Sequence, residues 1–290
     1  MKNKLNLVIA ITALMAVFFL NSCKKEELGS SSADSKKQAE TFTKATNATV
    51  KDMQYLMNAQ NMALGVIQQI NGTFKTSGDG FGNEEFPCAT LTQDTLSSPR
   101  WALIDLGAGC QSASSGEFQS GSIYIEYTNP DLDGQPGDYI RITVTNFITD
   151  TDTTNGIILF TYNGLNGNGN RVVHASTNIT TGNKLDEIQF TGINDFDIEA
   201  IQDTTGGNSL YNLSITGSGS GNTSDGLSFT QTVTTPLNWS LNQCEFFVSG
   251  ILDIQTQGQP DKQVNFGTGA CDNQAIVRES GTSYPITLVN

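Results

Sequence analysis

The stretch "SIYIEYTNPDLDGQPGDYIRITV", residues 122–144, decides the fold. In its first part Ile123, Ile125 and Tyr127 alternate with Ser122, Tyr124, Glu126 and Thr128; in its last part Ile140, Ile142 and Val144 alternate with Tyr139, Arg141 and Thr143. Successive side chains of an extended chain point to opposite faces, so a period of two marks a strand with one buried and one wet face. Between the two runs lie Asn, Pro, Asp and Gly, the residues that reverse a chain. The stretch therefore predicts an antiparallel hairpin.

The same pattern recurs through the chain. Leu227, Phe229 and Val233 share a face, and "CEFFVSGILDI" (244–254) places Cys244, Phe246, Val248, Gly250, Leu252 and Ile254 on one side. Turn-forming clusters separate such runs: "NGLNGNGN" (163–170), "TTGGN" (204–208) and "GSGSGNTSDG" (217–226). Within the last of these, "GSGSGN" (217–222) reads as a long hairpin loop or the best candidate for a linker. The expected fold is all-β, an antiparallel β-sandwich or larger two-sheet stack of a dozen or more strands, over residues 73–290.

Ahead of that region the periodicity is helical. Met53, Leu56, Met57, Ala63, Leu64, Ile67 and Ile70 recur at three- and four-residue spacing between a cap at Asn47 and a stop at Asn71-Gly72. A helix over 47–72, packed on the β-domain, is expected.

Composition narrows the function classes. The 290 residues carry a net charge of −14, and only 15% are charged. Phosphates would be repelled by such a chain, and no basic stripe exists to hold them, so nucleic acid is excluded as a partner.

The N-terminus reads as a targeting segment. Lys2 and Lys4 precede an apolar run from Leu5 to Leu20, and "LNSC" ends at Cys23. This resembles the lipobox of bacterial lipoproteins, which implies a signal peptide at 1–22, cleavage before Cys23, and lipidation (palmitate and further acyl chains) of that cysteine. Several acyl chains anchor a protein stably where one does not. Residues 23–46 form a polar tether. Lys25-Glu26-Glu27 resembles the short tag that directs Bacteroidota lipoproteins to the cell surface, with the periplasmic face of the outer membrane as the alternative location. Asp94-Thr95-Leu96, Asp152-Thr153-Thr154 and Asp203-Thr204-Thr205 resemble the O-glycosylation tripeptides of the same group.

Of five cysteines, Cys23 is the lipidation site, which leaves Cys88, Cys110, Cys244 and Cys271. In an exported chain these imply a disulfide framework with three connectivities. Pairing of neighbours, Cys88 with Cys110 and Cys244 with Cys271, is favoured because it treats the two halves alike. No C-x-x-C is present for redox work, and the spacings do not suit zinc.

Two of these cysteines end nearly the same words, "IDLGAGC" (104–110) and "VNFGTGAC" (264–271), each followed by a Ser-Gly, at 120–121 and 280–281. Gly-x-Gly at a strand end predicts a tight bend. The longer segments "LIDLGAGCQSASSGEFQSGSIYIEYTNP" (103–130), "PLNWSLNQCEFFVSG" (236–250) and "VNFGTGACDNQAIVRESGTSYPITL" (264–288) resemble a group of uncharacterised Bacteroidota outer-membrane and surface lipoproteins with DFGxGC and FGxGxCDN motifs. The resemblance implies location and fold and lends no function.

Chemistry-bearing residues are sparse. His174, the one histidine, sits on a strand with no nucleophile-elbow serine and reads as structural. Asp131, Asp133 and Asp138, with Asn129, offer oxygen ligands to a hard cation such as Ca2+, although the turn is no EF-hand. Asp195, Asp197 and Glu199, with those three, are the carboxylates from which a glycoside hydrolase would draw its facing pair. Trp101, Tyr124, Tyr139 and Trp239 are candidates for stacking on sugars. The expected function is a lipid-anchored envelope or cell-surface protein with a binding or structural role towards a glycan or an envelope protein, with no catalytic residue assigned. A carbohydrate-active hydrolase using paired carboxylates is the alternative.

Overall fold

The computed structural model describes residues 88–288, apart from 112–117, 130–134, 150–151, 184–188, 204–209, 225, 241–243 and 245. Cys23, the tether and the helix expected at 47–72 lie outside the described residues. So do Asp131 and Asp133.

The described chain is all-β. Strand β1 spans Thr90–Asp94, β2 Arg100–Gln111, β3 Phe118–Tyr127, β4 Tyr139–Ile148, β5 Asp152–Leu165, β6 Arg171–Asn183 and β7 Gln189–Asp203. It continues with β8 Leu210–Thr223, β9 Ser228–Ser240, β10 Ser249–Thr256, β11 Lys262–Thr268, β12 Gln274–Glu279 and β13 Thr282–Thr287. Each strand pairs antiparallel with the next, so the hydrogen bonds run through one 13-stranded sheet in chain order. The expected separation into two hydrogen-bonded sheets is not found. A second sheet needs a strand that leaves its predecessor, and here each described turn folds the chain straight back. At Ser280-Gly281 two left-handed residues, φ 48° and 82°, make the two-residue reversal between β12 and β13. Between β5 and β6, Asn166 Oδ1 accepts the N–H groups of Asn168 and Asn170 and closes that turn.

One face of the sheet is apolar and sealed. A cross-strand row runs Ala102, Ile125, Ile142, Ile158, Thr177, Asn194, Gly219, Gln231, Ile254, Lys262. From β2 to β5 it is hydrocarbon; from β6 onward it carries polar side chains except at Gly219 and Ile254, yet Thr177, Asn194, Gln231 and Lys262 stay buried. Buried polar groups need partners. Gln231 donates from Nε2 to Asn194 Oδ1, and Asn194 donates from Nδ2 to Thr177 Oγ1 at 2.9 Å.

This ladder corrects the reading of "GSGSGN". Residues 217–222 lie within the second half of β8, not in a loop or linker. Gly219 sits between Asn194 and Gln231 in the row, and a Cβ there would collide with Asn194 Oδ1. Gly221 likewise makes room for the stacked rings of Phe190 and Phe229, 5.3 Å apart. Ser218 and Ser220 alternate outward. Gly219 and Gly221 are there because neighbouring side chains occupy their space, whereas Gly217, at the Ile215/Ser218 register shift, is needed for its φ of 135°.

Bulges bend one end of the sheet. Register shifts fall between Asp105 and Cys110 in β2, at Ser120/Ser122 in β3 and at Val144/Phe147 in β4. Each bulge bends its strand and raises local twist. Leu106 and Cys110 bury there against Ala89 and Phe147.

Both expected disulfides form, Cys88–Cys110 and Cys244–Cys271, with Cα separations of 5.5 and 5.4 Å. Cys88 precedes β1 and Cys110 lies near the end of β2; Cys244 precedes β10 and Cys271 follows β11. Each bridge thus closes the open end of a hairpin. The two Ser-Gly pairs are not equivalent, however: Ser120-Gly121 lies in the β3 bulge, while Ser280-Gly281 is a hairpin turn. In "CEFFVSGILDI" the strand begins only at Ser249, and Phe247 enters the core while Phe246 packs at its margin.

Candidate functional site

The other face of the sheet is largely polar, with Ile157, Ile193 and Ile276 exposed on it, and it is here that the candidate residues gather. Pairing of β2, β3 and β4 sets Trp101 opposite Glu126 and Glu126 opposite Arg141. Two residues along, Tyr124 and Tyr139 point to the same face. Trp101 and Tyr124 stack with centroids 5.9 Å apart and planes 29° apart, an offset arrangement that leaves one face of each ring free of the other. Tyr139 donates its O–H to Glu126 Oε1 at 2.7 Å, and the Arg141 guanidinium lies 3.9 Å from the same oxygen. Arg141, at 48% side-chain exposure, is open to solvent.

These contacts perturb the phenols. Partial burial first, and the hydrogen bond to Glu126 next, push the Tyr139 hydroxyl above its ordinary value of 10.0. Tyr124 is pushed up by partial burial and then by the Glu126 charge. Both therefore remain neutral hydrogen-bonding groups through the physiological range.

Trp239 does not join them. It is buried in the core, edge-on to Phe247, and its Nε1–H is satisfied by the Cys244 carbonyl at 2.6 Å. Its place in the alternation beside Leu237 put it on the sealed face, and a buried indole of this kind stacks on nothing outside.

A second cluster lies on the same open face. His174 pairs with Asp197 across β6 and β7, with Nδ1 3.0 Å from Asp197 Oδ1 and Nε2 3.5 Å from Asp195 Oδ1. The sequence offered these as separate candidates; register brings them together. The two carboxylates are 68% and 56% exposed, so solvent screens them strongly. Glu199, next along β7, accepts from the side-chain amides of Asn166 and Asn170, each at 2.7 Å, and braces the β5–β6 turn.

Of the three expected calcium ligands only Asp138 is described. Its Oδ1 accepts from Thr128 Oγ1, and its Oδ2 from the Gln135 N–H and Asn129 Nδ2. The Gln135 backbone bond is the main reason its carboxyl titrates below the ordinary 3.8. Asp138 serves as the clasp of the β3–β4 turn. Among the described residues no group of three or more His, Cys, Asp or Glu side chains is arranged to hold a metal.

Of the tripeptides resembling O-glycosylation sites, Asp94-Thr95-Leu96 forms the turn after β1, where Asp94 Oδ1 accepts the N–H groups of Leu96 and Ser97. Thr153 lies within β5 and its neighbour Thr154 is buried. Thr204 and Thr205 fall outside the described residues.

Glu126 and Arg141 were legible as wet-face positions but not as partners of the aromatics, because the cross-strand register that joins them is set by the β3–β4 turn. No protein-family model, curated protein or solved structure matches the chain.

Proposed function

We propose that the chain is a lipid-anchored envelope protein, held to the outer membrane by acyl chains on Cys23 and displayed at the cell surface, that acts by binding through the open face of its sheet. The observation that carries the binding reading is the Trp101–Tyr124 pair, half-buried on the solvent side with Glu126, Tyr139 and Arg141 around it. Aromatic rings often retreat into the core, as Phe160, Phe196 and Tyr127 do here, whereas Trp101 and Tyr124 stay on the wet face. Two disulfides suit an oxidising compartment, and the lipobox-like "LNSC" and "KEE" point to export.

Burial of the inner face to a few per cent requires cover. In this reading the sheet coils over itself as a two-layer stack, and the helix at 47–72 packs on the same domain. Similarity to the Bacteroidota group of lipoproteins fits the same location. Calcium at the β3–β4 turn remains part of the proposal only through Asp131 and Asp133.

Binding is preferred to hydrolysis because the aromatic pair lies on the open face, whereas Asp195 and Asp197 both engage His174 and are 68% and 56% exposed. The test is threefold on cells making the intact protein. Palmitate should label the native chain and not Cys23→Ala; external protease should remove the β-domain from intact cells; a photo-crosslinking residue at Tyr124 should capture a surface ligand that one at Leu252, inside the core, does not. Unlabelled, protease-protected protein sinks the location, and equal capture at the two positions sinks the binding face.

A further inference from the structure

We propose that the ligand of the open face is a neutral glycan chain lying across the strands, its sugar rings on Trp101 and Tyr124 and its hydroxyls at Glu126, Tyr139 and Arg141. The proposal rests on the binding reading above and narrows it to one chemical class.

Three properties of the site converge on that class. A pyranose presents an apolar face of C–H groups and a rim of hydroxyls. The C–H face fits the negative face of an aromatic ring, and the rim needs donors and acceptors close beside it. Trp101, Glu126 and Arg141 are direct cross-strand neighbours, so ring, acceptor and donor follow one another along a line at right angles to the strands. Tyr139 and Arg141 both address Glu126 Oε1. That fixes the carboxylate and leaves Oε2 and the outer guanidinium N–H groups, among the described residues, for ligand hydroxyls.

The spacing fits a polymer. Neighbouring strands lie ~4.8 Å apart, close to the advance per sugar of an extended β-linked polysaccharide, so successive sugars meet successive strands. The same row continues outward through Leu159, Ser176 and Asp195, whose side chains are half-buried to exposed.

Charge selects among polymers. Glu126, Asp195 and Asp197 outnumber Arg141 and His174 on this part of the face, and the whole chain carries −14. A uronic-acid or sulfated chain, or a nucleic acid, would be repelled. An uncharged glycan meets no such barrier, and the aromatic pair supplies what an ionic ligand would not need.

The test uses the full-length acylated protein in phospholipid nanodiscs, titrated calorimetrically with neutral hexasaccharides (β-1,4-gluco-, xylo- and manno-, and α-1,4-gluco-) and with hexagalacturonate as the anionic probe. At least one neutral hexamer should bind while hexagalacturonate does not. Trp101→Ala should weaken binding on the order of tenfold or more, Glu126→Gln should weaken it with the fold intact by circular dichroism, and Thr232→Ala, on the same face but remote, should leave it unchanged. The Trp239→Phe variant, whose remaining indole is Trp101, should still report binding by its fluorescence. Failure of every neutral hexamer at millimolar concentration, preferential binding of the acid, or binding indifferent to Trp101→Ala would overturn the proposal. If no sugar binds but the crosslinker at Tyr124 captures a protein on cells, the glycan assignment falls and the binding face stands; if it captures nothing, both fall.

Discussion

Asp105 and Asn265 occupy equivalent places in two distant strands: each accepts on Oδ1 the N–H of the glycine two residues ahead, Gly107 at 2.8 Å and Gly267 at 2.9 Å. Around them Ile104 and Val264, then Leu106 and Phe266, are buried on the core side. The repeated words of the sequence thus encode one local device, a side-chain acceptor that satisfies the backbone where the strand bends out of its ladder. Exchange of the two residues keeps the acceptor, so Asp105→Asn should be nearly neutral. Asp105→Ala should lower unfolding free energy by about 0.5–1.5 kcal/mol, read from urea denaturation, with Asn265→Ala behaving alike. A loss confined to one site would mean that the resemblance is only in the letters.

The Gln231–Asn194–Thr177 ladder depends on the missing side chain of residue 219. Gly219→Ala should destabilise by about 1–3 kcal/mol through overpacking. Adding Asn194→Ala should recover part of that loss, because the two changes share one space and are not additive. Ser220→Ala, one residue away on the open face, should stay within about 0.5 kcal/mol of the parent. Full additivity in the double variant would contradict the placement of Asn194 over Gly219.

Lys262 lies in the sealed face with its Nζ 3.5 Å from Glu279 Oε1. Burial lowers its pKa below the ordinary 10.5, and the Glu279 charge only partly opposes this. The folded state therefore binds fewer protons than the unfolded chain, and stability should rise with pH as it climbs from the folded value of Lys262 towards 10.5. Lys262→Met should flatten that rise. Tyr284 acts in the opposite sense: burial, and next the Glu279 charge, push it up to about 12, so its contribution is full below pH 10 and lost between 10 and 12. Tyr284→Phe should make the alkaline limb shallower. Melting temperatures of the three proteins across alkaline pH decide the matter, and identical profiles would remove Lys262 and Tyr284 from it.

Each disulfide closes a loop with a sequence separation of 22 or 27 residues. In the chain-entropy account either is worth ~3 kcal/mol. Cys88→Ser/Cys110→Ser and Cys244→Ser/Cys271→Ser should each lower the melting temperature by several degrees, and reductant should reproduce the loss in the parent. Insensitivity to reductant would show that the hairpins are held without sulphur.

Much of this was legible from sequence where strands have one wet face. Residues 122–127 and 139–144 alternate cleanly, and the structure keeps that alternation in β3 and β4. The pairing of cysteines followed from their even distribution between two similar stretches. What escaped reading depends on neighbours in space. Gly217 to Gly221 spell a loop by composition, and only the bulge at Gly217 and the side chains of Asn194, Gln231 and Phe229 at Gly219 and Gly221 explain why a strand needs them. His174, Asp195 and Asp197 met only once β6 and β7 had a register. Single-sheet continuity is a property of all the turns at once, and no one turn announces it.

The central claim is that a sealed face and an open face alternate through one register, even across the Gly-Ser run. Single cysteines placed at each position from 218 to 222, and at 123 to 126, can be tested with a thiol reagent on the folded β-domain, its four native cysteines being bridged. Positions 124, 126, 218, 220 and 222 should react quickly, and 123, 125, 219 and 221 should react slowly or not until unfolding. Uniform reactivity across 218–222 would return that segment to a loop and contradict both the sheet and the binding face built on it.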